Sequence, residues 1–121
     1  MARDKAPVGD LRRFKRPPAH PGEVFREDYR QVGTDEEISQ AECARRMGIT
    51  QNRLNEIERG RRGVSPETAV LLDALTGVSA ETWLTMQMRH DLWHAMQSTD
   101  TSKVQPFPRR TLQEPRATRR S

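Results

Sequence analysis

Residues 39–60 read SQAECARRMGITQNRLNEIERG, which has the pattern of two short helices joined by a tight turn. Ser39 and Glu42 fit the S-x-x-E capping box, in which a hydroxyl and a carboxylate satisfy backbone N–H groups at the start of a helix. Gly48 is the residue type that ends a helix in the left-handed conformation. Thr50 is expected to cap the next helix only two residues later. Together these signals predict a helix-turn-helix.

The second of these helices is predicted to begin after Thr50 and run to Arg59, with Gly60 closing it. Leu54 and Ile57 define its inward direction, because residues three apart share one face of a helix. The opposite face and its flanks are therefore polar. They comprise Gln51, Asn52, Arg53, Asn55, Glu56 and Arg59.

The remaining apolar pattern predicts three more helices and no convincing strand, so the expected fold class is all-α with five helices. Helix 1 should begin near Pro21 and end at Gly33, and helix 5 should run over 79–97. Helix 4 should begin with Ser65 as its cap and end before Gly77. The expected inner faces are Val24, Phe25 and Tyr29 in helix 1, Cys43, Ala44 and Met47 in helix 2, and Val70, Leu71, Ala74 and Leu75 in helix 4.

Charge divides the 121-residue chain into three parts. Residues 1–20 and 98–121 each carry six basic and two acidic residues, whereas residues 21–97 carry nine arginines and thirteen acids. The two ends are also poor in apolar residues, a composition typical of disorder. We therefore expect a basic tail over 1–18, a helix-turn-helix domain over 19–97 and a second basic, disordered tail over 98–121.

Composition excludes several classes of protein. The single cysteine, Cys43, excludes an internal disulfide and a zinc site built on several cysteines. No apolar run approaches the ~18 residues that a membrane-spanning helix needs, so we expect a cytoplasmic protein with no membrane partner. No catalytic triad context, P-loop or G-x-G-x-x-G is present, which argues against an enzyme and against a bound cofactor.

One pair of histidines raises the alternative of a metal site. His90 and His94 have the spacing of the zinc-binding H-E-x-x-H motif. Asp91 replaces the glutamate of that motif, and no third ligand is evident. We therefore expect a polar stretch on a partly buried helix, with no metal.

The outer face of helix 3 suggests contact with double-stranded DNA. Asparagine and glutamine pair with adenine edges, and arginine pairs with guanine or phosphate. Gln40 lies at the start of helix 2, where free backbone N–H groups favour a phosphate. Residues 45–63 hold six arginines against two glutamates, a basic patch on an acidic body. A merely solvated helix face is the alternative. The predicted DNA contacts are Gln40, Thr50, Gln51, Asn52, Arg53, Asn55, Arg59, Arg61 and Arg62.

Helix 5 is apolar on more than one side, which suggests a dimer seam. A domain of this size has little core in which to hide both sides. The alternative is that both sides pack within one protomer. If they do not, a two-fold dimer would set two recognition helices about one DNA turn (~34 Å) apart. The predicted dimer seam comprises Trp83, Met86, Trp93 and Met96.

Five short segments carry a family resemblance: PAHPGE at 18–23, SQAE at 39–42, LNEI at 54–57, GRRGVSPE at 60–67 and WL at 83–84. Together they resemble the HigA-type antitoxins of the Xre/Cro helix-turn-helix group. The resemblance extends over about two-thirds of the chain.

The resemblance implies a five-helix, lambda-repressor-like fold that forms a homodimer. It implies that the protein represses its own toxin–antitoxin operon by binding operator DNA. It also implies a partner, a RelE-like ribonuclease toxin of the HigB type, which is neutralised by direct binding. Three features depart from the family: Cys43 where leucine is usual, a longer and more acidic link at 34–37, and a long basic segment after Gln97.

Two other functions remain open on the sequence alone. The first is a stand-alone Xre-type transcriptional regulator with no toxin. The second is a protein-interaction module whose helix-turn-helix no longer binds DNA. The basic tails could add phosphate contacts or wrap a toxin, or they could simply be solvated.

Overall fold

The computed structural model describes residues 8–31, 33 and 36–108, with side chains from Leu11 onward. A short 3-10 helix, Val8–Arg13, precedes five helices. Their bounds are α1 Pro21–Val24, continued without a break by a π-helix Phe25–Arg30, then α2 Gln40–Met47, α3 Gln51–Glu58, α4 Pro66–Thr76 and α5 Ala80–Ser98. The fold is all-helical, as predicted.

The predicted starts of α2, α3 and α4 and the predicted ends of α2 and α4 are confirmed, whereas helix 1, expected to end at Gly33, ends at Arg30. The side chains of Ser39, Thr50 and Ser65 each accept a hydrogen bond from the backbone N–H three residues later. Gly48 and Gly77 end their helices at φ angles of 75° and 81°. These caps act over four residues or fewer, so the local sequence is sufficient to place them.

The core lies between all five helices. Leu54, Ile57 and Trp83 have no exposed surface, and Phe25 is 2% exposed. Trp83 packs edge-on against Phe25, with ring centroids 6.4 Å apart. The inward direction predicted for α3 is therefore confirmed, and so are the buried residues of α2, which are Cys43, Ala44 and Met47.

The inner face predicted for α4 is corrected. Its buried residues are Thr68, Ala69 and Leu72. Val70 is 60% exposed. Ala74 is exposed, and Leu71 and Leu75 are only partly buried. The predicted face of Val70, Leu71, Ala74 and Leu75 adjoins the buried one, and the docking of α4 on α5 selects the face of Ala69 and Leu72 instead. In the π-helix that continues α1, Tyr29, predicted to face inward, is likewise 42% exposed.

The N-terminal segment packs on the body instead of forming a disordered tail as far as residue 18. Leu11 is fully buried. The indole Nε1 of Trp93 donates a hydrogen bond to the Phe14 carbonyl at 3.0 Å. His90 Nδ1 lies 2.8 Å from the Pro18 carbonyl oxygen. The reason is the second apolar side of α5, which this segment covers.

The predicted dimer seam is corrected at two of its four residues. Trp83 is fully buried and Met86 is 8% exposed within one protomer, so neither is available to a partner. Trp93 and Met96 are partly buried. Met96 lines a shallow cleft with Leu92 and Ala95.

The chain beyond α5 is exposed as far as Pro108. Val104 is 65% and Phe107 86% exposed. Residues 109–121, which carry most of the predicted basic charge of this tail, lie outside the described residues. Within the described ranges, no helix combines the length and the apolar character that crossing a bilayer requires.

Candidate nucleic-acid interface

The helix-turn-helix is compact because the turn between α2 and α3 is bound at both ends. The backbone N–H groups of Gly48 and Ile49 donate to carbonyls in the last turn of α2, and the Thr50 hydroxyl caps α3. Cys43 and Ala44 are buried on the side of α2 that meets the core. This geometry presents the first turn of α3 to solvent.

The structure exposes most of the predicted DNA-contacting side chains. Gln51 and Asn52 are exposed in the first turn of α3. Thr50 precedes them, and Arg59, Arg61 and Arg62 follow the helix, all exposed as well. The other three predicted residues, Gln40, Arg53 and Asn55, are partly buried. The exposure of most of this surface therefore agrees with the sequence pattern, which did not show which of its side chains are held by other protein groups.

Gln40 links α2 to α3 through a chain of amide hydrogen bonds. Its Nε2 donates to the Asn55 Oδ1 at 3.2 Å and to the Glu58 Oε1 at 3.1 Å. Its Oε1 accepts from the Gln51 Nε2 at 3.2 Å. Gln40 is therefore a bridge between α2 and α3, a role that its predicted phosphate contact at a helix start did not include.

The side chain of Arg53 is directed toward α4 and is not free on the flank of α3. Its Nη2 donates to the Thr68 hydroxyl at 2.9 Å and lies 3.9 Å from the Glu67 carboxylate. Its Nε is buried without a hydrogen-bond partner among the described residues. The guanidinium thus joins α3 to α4, and its role at the surface is smaller than its position on the helix suggested.

Ion pairs within the protein engage part of the positive charge of this surface. Glu42 accepts hydrogen bonds from both Arg45 and Arg46, which lowers its pKa from 4.5 to about 2. Its carboxylate is engaged there rather than in the reciprocal half of the predicted capping box. Arg62 pairs with Glu56 at 2.8 Å.

Two arginines near the end of α3 stand apart from these pairs. Within the part of the chain that the structure describes, Arg59 and Arg61 are exposed and form no ion pair. Unpaired guanidinium groups are the natural ligands of backbone phosphates, because no intramolecular bond has to be broken first.

An ion pair that the sequence pattern did not predict lies buried beneath the polar surface of α3. The Arg30 guanidinium donates to both oxygens of Glu58, at 2.7 and 2.6 Å. The two side chains are 8% and 2% exposed. The Glu58 hydrogen bonds raise the pKa of Arg30 above its ordinary value. One signal was available in the sequence: Glu58 lies four residues after Leu54, on the inward side of α3, where a charge requires a buried partner.

A polar cleft of about 320 Å³ lies beside the end of α3 and includes His20 and His90. His20 Nδ1 accepts a hydrogen bond from the Gly22 N–H and so caps α1. Burial, which is the largest cause, and the neighbouring His90 together lower the pKa of His20 from 6.5 to about 4, against an opposing effect of Asp91. His20 is therefore neutral at physiological pH.

The pair with zinc-like spacing takes part in ring packing. The centroids of His90 and His94 are 4.7 Å apart, and His90 Nδ1 is bound to the Pro18 carbonyl. Across the described ranges, no group of three or more His, Cys, Asp or Glu side chains is placed to hold a metal ion.

Known proteins share both the sequence pattern and the fold. Residues 34–83 match the family model HTH_3, described as helix-turn-helix. Virulence-associated protein I of Dichelobacter nodosus is 35% identical over 89 residues, which cover 73% of this chain and 79% of that protein.

Solved structures extend the similarity to three dimensions. The antitoxin GraA is 34% identical with a TM-score of 0.68, covering 78% of this chain and all of GraA, and a structure of GraA in complex with its operator matches equally well. The Pseudomonas aeruginosa antitoxin HigA, solved with the higBA promoter, is 29% identical with a TM-score of 0.66, covering 75% of this chain and 99% of HigA. The chain thus belongs to the HigA-type antitoxins of the Xre-like helix-turn-helix family, whose members are DNA-binding regulators rather than enzymes.

Proposed function

We propose that this protein is an antitoxin that, as a homodimer, represses its own toxin–antitoxin operon by binding operator DNA. We propose further that it neutralises a RelE-like ribonuclease toxin of the HigB type by direct binding. The observation that carries the DNA-binding part is the surface of α3, where Gln51 and Asn52 are exposed beside the unpaired Arg59 and Arg61.

The chemistry of that surface matches the two needs of specific DNA binding. Amide side chains at the start of a recognition helix form paired hydrogen bonds with base edges in the major groove. Arginines beyond its end bind phosphates and position the helix. GraA with its operator and HigA with the higBA promoter are solved complexes of proteins with this fold, which supports the same use of the surface here.

The dimer is proposed from the two-fold symmetry that such repressors share with pseudo-palindromic operators. Because Trp83 and Met86 are buried within the protomer, a contact along α5 would have to use Leu92, Met96 and the adjoining surface. The toxin is proposed from the family alone.

Two measurements test the proposal. In the first, fluorescence anisotropy compares a labelled duplex from the gene's own promoter with a scrambled duplex of equal length. We expect at least a 100-fold preference for the promoter at a salt concentration near 150 mM, in line with specific operator binding. Equal affinity for the two duplexes would exclude operator recognition.

In the second measurement, the product of the adjacent gene is co-expressed with this protein. Restored growth together with a stable co-purified complex supports the antitoxin role. Promoter binding without rescue or complex would instead identify a stand-alone Xre-type regulator.

A further inference from the structure

The Arg30–Glu58 ion pair lies directly beneath the amides that face DNA in the proposed function. Glu58 is on the last turn of α3, and Arg30 ends the π-helix that continues α1. Both partners are nearly inaccessible to solvent. A pair this deeply buried gains little stability over apolar packing, so its presence at this position suggests a role in specificity.

Glu58 restricts how the Gln40 amide can be oriented. A carboxylate bound to a guanidinium accepts hydrogen bonds and donates none. Gln40 must therefore turn its NH₂ group toward Glu58, and the Nε2 to Oε1 distance is 3.1 Å. The second hydrogen of that NH₂ group is directed to Asn55 Oδ1, at 3.2 Å. The opposite orientation would place two oxygens in contact.

The orientation of Gln40 in turn determines which hydrogen-bonding groups of Asn55 and Gln51 remain available to a ligand. Asn55 has its carbonyl oxygen engaged, so its NH₂ group remains for a ligand. Gln51 donates one hydrogen to Gln40 Oε1 and keeps its carbonyl oxygen and its other N–H. Asn55 therefore offers donors, which match guanine O6 and N7 or thymine O4, while Gln51 offers a donor and an acceptor, which match adenine.

We propose that Glu58, held by Arg30, is a positioning residue that determines the hydrogen-bonding polarity of the recognition helix and thereby its base preference. This inference rests on the proposed function, because base preference has meaning only if α3 reads DNA. Glu58 itself touches no base. It acts through Gln40 on Asn55 and Gln51.

The test uses two variants and a matched control. Glu58→Gln keeps the shape of the side chain but offers Gln40 either an oxygen or an NH₂ group. The double variant Arg30→Met, Glu58→Met removes both charges together, so that no buried ion is left unpaired, and it guards against misfolding of the single variant. Glu56→Gln is the control: it removes the same charge from the same helix, but Glu56 binds Arg62 and not Gln40.

The first readout requires no DNA. Side-chain amide NMR on the full chain should show slow hydrogen exchange for both Gln40 NH₂ protons in the wild type and in Glu56→Gln. The exchange should become at least tenfold faster in the two Glu58 variants. Rapid Gln40 exchange in the wild type would overturn the proposed restraint.

The second readout is selection from a randomised duplex library at fixed salt. We expect the base opposite Asn55 to be restricted to one with acceptors, guanine or thymine, in the wild type and in Glu56→Gln. In the two Glu58 variants only, this restriction should relax, so that bases with a major-groove donor, adenine or cytosine, are selected as well. A uniform loss of affinity with unchanged base preference would reduce the pair to a structural role and overturn the proposal. An equal change in Glu56→Gln would assign the effect to net charge and overturn it as well.

The two readouts distinguish this failure from failure of the proposed function. If the wild-type protein selects no sequence at all, operator recognition is wrong, and the base-reading role of Glu58 falls with it. In that case the NMR exchange rates still show whether Glu58 holds the Gln40 amide in one orientation, which would then be a purely structural role.

Discussion

The backbone of Gly22 passes so close to Ile57 that a Cβ atom on Gly22 would lie 1.8 Å from the Ile57 carbonyl oxygen. No side chain fits in that space, and the neighbouring atom is backbone, which cannot rotate away. The contact sets the distance between α1 and the recognition helix α3, and with it the depth at which Arg30 meets Glu58.

The substitution Gly22→Ala should therefore lower the free energy of unfolding by about 3 kcal/mol or more, because overpacking against backbone forces the helices apart. Urea denaturation followed by circular dichroism measures this. The control is Gly48→Ala, where φ is 75° but nothing lies within 4 Å of the added Cβ. There only the left-handed backbone is disfavoured, at about 1–2 kcal/mol. Equal losses would show that the α1–α3 contact is not tight.

The packing of residues 11–18 predicts a stability effect at a site that composition assigned to a tail. Leu11→Ala should destabilise the protein by about 2–4 kcal/mol, since Leu11 has no exposed surface and a cavity would remain. Val104→Ala is the comparison in the other flanking segment. Val104 is 65% exposed, so its loss should stay within about 0.5 kcal/mol. Urea titrations measure both losses of stability. If Leu11→Ala is as stable as the wild type, residues 11–18 do not pack on the body and the prediction of a disordered tail is correct.

Asn52 is the clearest candidate for a base contact that is independent of other protein groups, because it is exposed in the first turn of α3. Asn52→Ala should weaken promoter binding by about 1–3 kcal/mol and leave binding to a scrambled duplex nearly unchanged. Anisotropy titrations with both duplexes measure the two losses. Gln97→Ala removes an exposed amide at the far end of α5 and should change neither. If Asn52→Ala weakens both duplexes equally, Asn52 does not read a base.

Arg59 and Arg45 carry the same charge on neighbouring helices but differ in their partners. Arg59 is unpaired in the described part of the chain, whereas Arg45 is bound to Glu42. Arg59→Ala should weaken promoter and scrambled DNA alike and reduce the slope of log K against log salt by about 1. Arg45→Ala should have a much smaller effect. Identical slopes for the two variants would mean that net charge alone governs binding.

His20 predicts how stability depends on pH. Its pKa is lowered from 6.5 to about 4 in the folded state, so between these values the unfolded chain binds the proton and the folded chain does not. Stability is therefore greatest above pH 6.5 and falls as the pH drops toward 4. Between pH 7 and pH 5 the loss assigned to His20 should be about 1–2 kcal/mol.

The variant His20→Asn tests this dependence, because asparagine also caps a helix but does not titrate. Urea midpoints at several pH values between 7 and 5 should vary less in this variant than in the wild type. His94→Asn, which alters an exposed histidine on α5, is the matched control for the loss of one imidazole. An unchanged slope in His20→Asn would place the titrating group elsewhere.

Much of the fold was predictable because the relevant signals are short. Ser39, Thr50 and Ser65 each cap a helix through a bond to the third residue after them. The inner face of α3 followed from two residues, Leu54 and Ile57. The face of α4 was not predictable in the same way, since its apolar residues were compatible with two orientations and only contact with α5 chose between them.

In the candidate site, too, local features were predictable and contacts between helices were not. The exposure of Gln51 and Asn52 followed from helical periodicity, whereas the inward lean of Arg53 depends on Thr68, which lies on the next helix. The dimer seam was mispredicted at Trp83 because an apolar stripe on α5 does not state whether a partner or the protomer itself covers it.

The sequence by itself determined where the helices of residues 39–98 begin and end, which face of α3 is polar, and which family the chain resembles. These depend on interactions within about one helical turn, where capping groups and apolar spacing act. Only the tertiary structure decided which polar groups are free. Arg30 meets Glu58 across 28 residues, and Trp93 meets the Phe14 carbonyl across 79, because folding brings distant segments into hydrogen-bonding distance. The bonds of Gln40 to Asn55 and Glu58 likewise join α2 to α3 across 15 and 18 residues and follow from no local pattern.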